Sequence, residues 1–180
     1  MAKIIVVLSV GLLTFILALA QDVNSQLLEA AKNGLTERVH YLLDAGAQAN
    51  AKTKLSETAL MLASVNGQTE TVKVLLAQGA KVKEKTKSGV TALMMASAYG
   101  QADTVKVLLA QGANVNEKFE GLTILRMVAE AGHTEVVRAL LEAGAKIDRK
   151  TRDGMTTVMV ASRNGHREVV DLLKRASKKK

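Results

Sequence analysis

The chain has 180 residues and a formal net charge of +8, with an isoelectric point near 9.8. It has no cysteine, proline or tryptophan, and only 2% of its residues are aromatic, so disulfides, thiolate metal sites and an aromatic core are excluded. The basic balance favours acidic partners or anionic surfaces and says nothing about the fold.

The first element in chain order is apolar. Lys3 follows the start, Ile4 to Leu19 is almost unbroken aliphatic sequence, and Ala18-Leu19-Ala20 is a small-x-small ending before Gln21-Asp22. A positive start, an apolar run and such an ending describe a secretory signal peptide over 1–20, cleaved after Ala20 to leave 21–180. The rival reading is an uncleaved anchor, because the run is at the short end of the roughly 17–25 residues that cross a bilayer. The expected location is therefore the periplasm or the exterior, and the compact signal points to a bacterial source.

Beyond residue 22 the chain repeats itself. Asn66-Gly67-Gln68-Thr69-Glu70-Thr71-Val72-Lys73-Val74-Leu75-Leu76-Ala77-Gln78-Gly79-Ala80 returns as 99–113, and a looser copy occupies 132–145. The glycines Gly34, Gly67, Gly100, Gly132 and Gly165 keep a step of 33 residues, shortened once to 32. A period of this size marks a stack of small units, none able to bury its apolar face alone. Stacks of this kind present extended surfaces rather than closed pockets.

One unit can be read from 86 to 118. Thr86-Lys87-Ser88-Gly89-Val90 has turn composition, and Thr91 has the hydroxyl of an N-cap. Residues 92–99 form a short helix with Leu93, Ala96 and Ser97 on the packing side, and Gly100 ends it. A second helix starts near Ala102-Asp103, where the acid complements the helix dipole. Val105, Leu108 and Leu109 form its apolar stripe, and Gly112 stops it.

These residues resemble the ankyrin repeat over about residues 24–176. The family's T-P-L-H start appears as Thr58-Ala59-Leu60-Met61, Thr91-Ala92-Leu93-Met94, Thr123-Ile124-Leu125-Arg126 and Thr156-Thr157-Val158-Met159, followed by Ala63, Ala96, Ala129 and Ala161. Gly132-His133-Thr134-Glu135-Val136-Val137 and Gly165-His166-Arg167-Glu168-Val169-Val170 match its G-H-x-E-V-V segment. Leu42-Leu43-Asp44-Ala45-Gly46-Ala47 and its later copies match the L-L-x-x-G-A exit. A tetratricopeptide array has a period of about 34 and lacks that exit. The resemblance implies an all-α solenoid of about five helix-turn-helix units with short β-turn fingers. The boundaries fall near 22–52, 53–85, 86–118, 119–150 and 151–180.

Two departures stand out. The proline is missing from every copy, which removes a residue preset for the first helical position and softens each unit slightly. The histidine that ties turns together in the family is replaced by Met61, Met94, Arg126 and Met159, so less rigid turns are expected. The one-residue shortening of the fourth unit is expected in its turn at Phe119-Glu120-Gly121.

No catalytic constellation emerges. His133 and His166 sit at the family's structural Gly-His position, and His40 reads as a surface residue. Zinc-ligand spacing and the phosphate-loop pattern are both absent. Six of the seven methionines, Met61, Met94, Met95, Met127, Met155 and Met159, read as core filler rather than a copper array. No catalytic residue, cofactor or metal is assigned.

The resemblance implies partner binding through the turn tips and the concave face lined by the first helices. Lys54, Lys83, Lys85, Lys87, Arg149 and Arg152 lie at the turns, and alternation on an extended arm aims Lys83, Lys85 and Lys87 one way. Tyr99 and Phe119 are the aromatic candidates, taken as exposed. The reading is a monomeric, non-enzymatic module that binds a protein partner of acidic character. The alternative is a basic binder of nucleic acid or anionic membrane. Export and the scarcity of aromatics to stack bases weigh against nucleic acid, and the membrane enters only through an uncleaved N-terminal segment.

Overall fold

A computed structural model describes residues 23–147 and 154–178. The signal segment 1–20 with its cleavage point after Ala20, and the candidates Arg149 and Arg152, lie outside the described residues.

The regular secondary structure of the described chain is almost entirely helical. Helix α1 covers residues 23–32. It is followed by α2 (Thr36–Asp44), α3 (Ala59–Val65), α4 (Thr69–Ala77), α5 (Ala92–Ala98) and α6 (Ala102–Ala110). A two-stranded hairpin, β1 (Lys118–Phe119) and β2 (Leu122–Thr123), precedes α7 (Ile124–Ala131), α8 (Thr134–Glu142), α9 (Thr157–Arg163) and α10 (Arg167–Ser177). Each odd helix pairs with the even helix after it. The first helices α3, α5, α7 and α9 stack in one layer, and α2, α4, α6, α8 and α10 stack in a second. Helix α1 adds Leu27, Ala30 and Ala31 to the same continuous core.

The two helix types start differently. Every first helix from α3 onward has a threonine N-cap: the amides of Met61, Met94, Arg126 and Met159 donate to Thr58, Thr91, Thr123 and Thr156 Oγ1 at 3.1–3.3 Å. This satisfies one orphan N–H in helices of only seven or eight residues. The second helices lack a capping side chain and instead carry Glu37, Glu70, Asp103, Glu135 or Glu168 in the first turn, where a carboxylate complements the positive end of the dipole.

Packing follows the apolar stripe. Val39, Val72, Val105 and Val137, with Leu42, Leu75, Leu108, Leu140 and Leu173, are at most 2% exposed. Each such side chain contributes about 1.5–3 kcal/mol by burial. Helices this short are marginal alone, so the stack stabilises them through neighbours.

The fingers explain the irregular period. In the second unit Thr53 N donates to Glu57 O, and in the third Thr86 N donates to Val90 O, each at 2.9 Å. Three residues intervene in both. In the fourth, Phe119 pairs directly with Leu122, so Glu120 and Gly121 alone make the turn. Both have positive φ, +51° and +83°, the geometry of a two-residue hairpin turn. The missing residue is removed here, as the spacing predicts.

The ties expected from the absent histidine are made by other side chains. Met61 and Met94 are 1% and 3% exposed and fill the joints with apolar bulk. Arg126, also 3% exposed, reaches the following unit, where its Nη1 donates to the Met155 carbonyl at 3.1 Å. Met159 lies at the same position of the fifth unit and is 52% exposed.

Candidate interaction surface

The arm leading into the third finger is extended, and its exposure alternates. Val82, Glu84 and Thr86 are half-buried, whereas Lys83, Lys85 and Lys87 are exposed. The three lysines therefore share one side of the arm. Their electrostatic settings differ. Lys85 Nζ lies 3.5 Å from Glu117, whose other carboxylate oxygen accepts from the Thr91 hydroxyl at 3.0 Å. Lys83 and Lys87 form no ion pair among the described residues, and the same holds for the exposed Lys54 and Lys118.

One finger earlier the same rung recurs. Lys52 Nζ donates to Glu84 Oε2 at 2.5 Å, and this bond, with the added charge of Lys81, holds the Glu84 carboxyl below its usual range. Burial opposes the shift and loses to it. Glu57 accepts from the Thr53 hydroxyl at 3.0 Å. The acids at the base of the fingers are thus engaged, and the free cations are left at the tips.

The aromatic candidates do not come together. Tyr99 follows α5 and is 67% exposed, but the finger lies at the other end of that helix, so Tyr99 sits away from the tips. Phe119 is half-buried and packed against the core, which corrects its reading as an exposed residue. In the first strand of a two-residue hairpin it has no long loop to carry it outward.

One residue escaped the sequence reading. Leu55 stands at the tip of the second finger, 63% exposed. With Val90, Met95 and Lys87 it lines a cleft of about 200 Å³ between the second and third fingers. Its signal was an apolar residue in Thr53-Lys54-Leu55-Ser56, where the third finger carries Thr86-Lys87-Ser88-Gly89.

The histidines are structural ties. Nε2 of His133 donates to the Ala98 carbonyl, and Nε2 of His166 to the Glu130 carbonyl, each at 3.0 Å. Each ring lies on the glycine of the unit before it. A Cβ on Gly132, whose φ is +78°, would fall 2.5 Å from the His166 ring. His40 is exposed and 3.2 Å from Asp44. Among the described residues no group of three or more histidines and acids is placed to hold a metal ion, and no helix is long and apolar enough to cross a membrane.

The family model described as "Ankyrin repeats (3 copies)" matches residues 27–119 and again 111–180. The chain belongs to the ankyrin-repeat family. No curated protein matches the sequence significantly. Ankyrin repeats generally bind protein partners and typically serve as non-enzymatic scaffolds. The finger tips and first-helix face of this ankyrin stack are accordingly its candidate interaction surface.

Proposed function

We propose that this ankyrin-repeat chain is an exported, non-enzymatic binding module that captures an acidic protein partner through its finger tips and first-helix face. The observation that carries the reading is the charge balance at the fingers. Glu84 and Glu117 are occupied by Lys52 and Lys85, which leaves Lys54, Lys83 and Lys87 to steer an acidic surface. The cations at Arg149 and Arg152 extend the same basic character along the sequence. Export rests on the apolar segment 1–20 and its Ala18-Leu19-Ala20 ending, with the periplasm or the exterior as destination.

Affinity capture from cross-linked extract, with charge reversal at Lys54, Lys83 and Lys87 as control, tests the binding role. A dominant protein lost on reversal supports it. Retention of only salt-sensitive nucleic acid or anionic vesicles transfers the function to a basic surface binder. Mass analysis of the protein from expressing cells tests export: a chain starting at Gln21 supports cleavage, and an intact Met1 terminus in the membrane fraction supports an anchor.

A further inference from the structure

We infer that the joint between the second and third units is the docking point of this chain, and that its occupant is an extended acidic segment of a protein partner that buries one apolar side chain between the two fingers. This rests on the binding-module reading and narrows it to one place and one partner chemistry.

The first observation concerns what ties neighbouring units. Asn50 clamps the unit after it: its amide donates to the Gly79 carbonyl at 3.0 Å and its carbonyl accepts from Lys81 N at 2.8 Å. Asn116 accepts from Lys146 N at 2.8 Å in the same way. A second clamp points backward. Asn66 donates to the Lys32 carbonyl at 3.2 Å and Asn164 to the Glu130 carbonyl at 2.9 Å. The repeat register places Lys83 where Asn50 and Asn116 stand, and Tyr99 where Asn66 and Asn164 stand. Both replacements fall on one joint, the forward clamp lost from the second unit and the backward clamp from the third. What still crosses it through side chains is a 3.4 Å bond from Gln101 to the Val65 carbonyl, the Thr69–Thr104 hydroxyl pair at 2.9 Å and the exposed Lys85–Glu117 rung. At the finger tips the Lys87 amide donates to the Leu55 carbonyl at 3.2 Å.

The second observation is that the apolar cleft of Leu55, Val90 and Met95 lies at this same joint. It is open to solvent, and Leu55 keeps most of its surface exposed. The joint lacks both amide clamps, and on its finger side the polar ties are the Lys87–Leu55 backbone bond and the exposed Lys85–Glu117 rung, while the Thr69–Thr104 pair lies across the second helices. The third observation is charge. Lys87 lines the cleft together with Glu57, whose carboxylate accepts from the Thr53 hydroxyl. Lys54 stands next to Leu55 on the second finger and Lys83 on the arm, and all three lysines are exposed without ion pairs among the described residues. A largely apolar slot with Lys87 at its edge and Lys54 and Lys83 on the neighbouring finger and arm, three cations against the one engaged acid Glu57, complements an apolar residue between acids. It does not complement nucleic acid, because no exposed aromatic ring stands at the described tips to stack a base.

The test is fluorescence anisotropy of a labelled seven-residue peptide, one leucine between two runs of three glutamates, titrated with the full chain. Its serine counterpart and a single-stranded oligonucleotide of equal charge serve as comparisons. The expected result is at least tenfold tighter binding of the leucine peptide than of the serine peptide, and a tenfold loss with Leu55→Ser and with Lys54→Glu/Lys87→Glu. Leu55 is mostly exposed, so its variant is expected to keep the parent melting temperature. Slower exchange of the Lys87 amide on binding locates the peptide between the fingers. Equal affinity for the leucine and serine peptides, or for the oligonucleotide, overturns the inference. Failure of the peptide while affinity capture still returns a charge-dependent protein partner overturns this docking point and leaves the binding-module reading intact. Failure of both removes the two together.

Discussion

The guanidinium of Arg126 is buried in the joint between the fourth and fifth units and donates from Nη1 to the backbone carbonyl of Met155 at 3.1 Å. It stands where Met61 and Met94 fill earlier joints. Its long apolar stem serves the same packing, and its head adds a charge-assisted bond to backbone. Arg126→Ala should destabilise the fold by about 2–4 kcal/mol, combining lost packing with the loss of this bond. Arg126→Met, which keeps the packing, should cost about 1–2 kcal/mol. Urea unfolding of both variants measures the difference, and equal stability of Arg126→Met and the parent would show that the bond contributes nothing net.

Ser56 has φ of +64° in the second finger, where the third and fourth have Gly89 at +85° and Gly121 at +83°. Left-handed backbone strains a residue with a Cβ. Ser56→Gly is therefore expected to raise stability by about 0.5–1 kcal/mol, after the extra freedom that glycine gives the unfolded chain is subtracted. A thermal melt below the parent value would mean that the finger tolerates the serine without strain.

The first helices bury three hydroxyls without partners among the described residues: Thr157 at 0% exposure and, at one repeat register, Ser64 and Ser97 at 0% and 1%. Ala129 occupies the same register in the fourth unit. Ser97→Ala removes a desolvated polar atom at almost constant volume, so it should stabilise by about 1 kcal/mol. Differential scanning calorimetry of Ser64→Ala, Ser97→Ala and the double variant checks this. The sites lie in adjacent units, and the two gains should add approximately.

The Glu84 carboxyl is held below its usual range, caused first by its bond from Lys52. A carboxyl whose folded pKa is depressed contributes stability that is present above its unfolded value and is lost as pH falls through the folded value. The rung therefore weakens on acidification below the ordinary glutamate range, near 4.3. Lys52→Met should flatten that part of the stability profile. Urea midpoints between pH 6 and pH 3 provide the comparison, and a Lys52→Met profile as steep as the parent's would assign the acid loss to other carboxyls.

Much of the fold was legible because the repeat multiplies weak signals. The threonine caps could be read at Thr58, Thr91, Thr123 and Thr156 together, and the shortened turn at Glu120-Gly121 follows from a period that drops by one. The acids at the starts of the second helices, and Val105 and Leu108 within them, were readable from spacing. Contacts between units were harder to read. Nothing local to Arg126 reveals that its head lies against Met155, because the direction of a long side chain depends on the neighbouring unit. Phe119 looked like a tip residue until the two-residue turn placed it in a strand against the core. The surface alternation of Lys83, Lys85 and Lys87 was visible in sequence, but the neutralisation of Lys85 by Glu117 was not, since the partners are 32 residues apart.

The paired hydroxyls of Thr36 with Thr71 and of Thr69 with Thr104, at 2.8 and 2.9 Å, bear on how a chain of near-copies finds its own order. Residues 66–80 and 99–113 are so alike that the fourth unit could be laid directly on the second, with the third looped out. In that misassembled stack Thr69 would meet Val136 instead of Thr104, and its half-buried hydroxyl would lose that partner. The oxygen pair thus discriminates against the fourth unit, which offers Val136, whereas the second and third units offer the same hydroxyl at Thr71 and Thr104. It gives a repetitive sequence one local signal against that skipped register during folding.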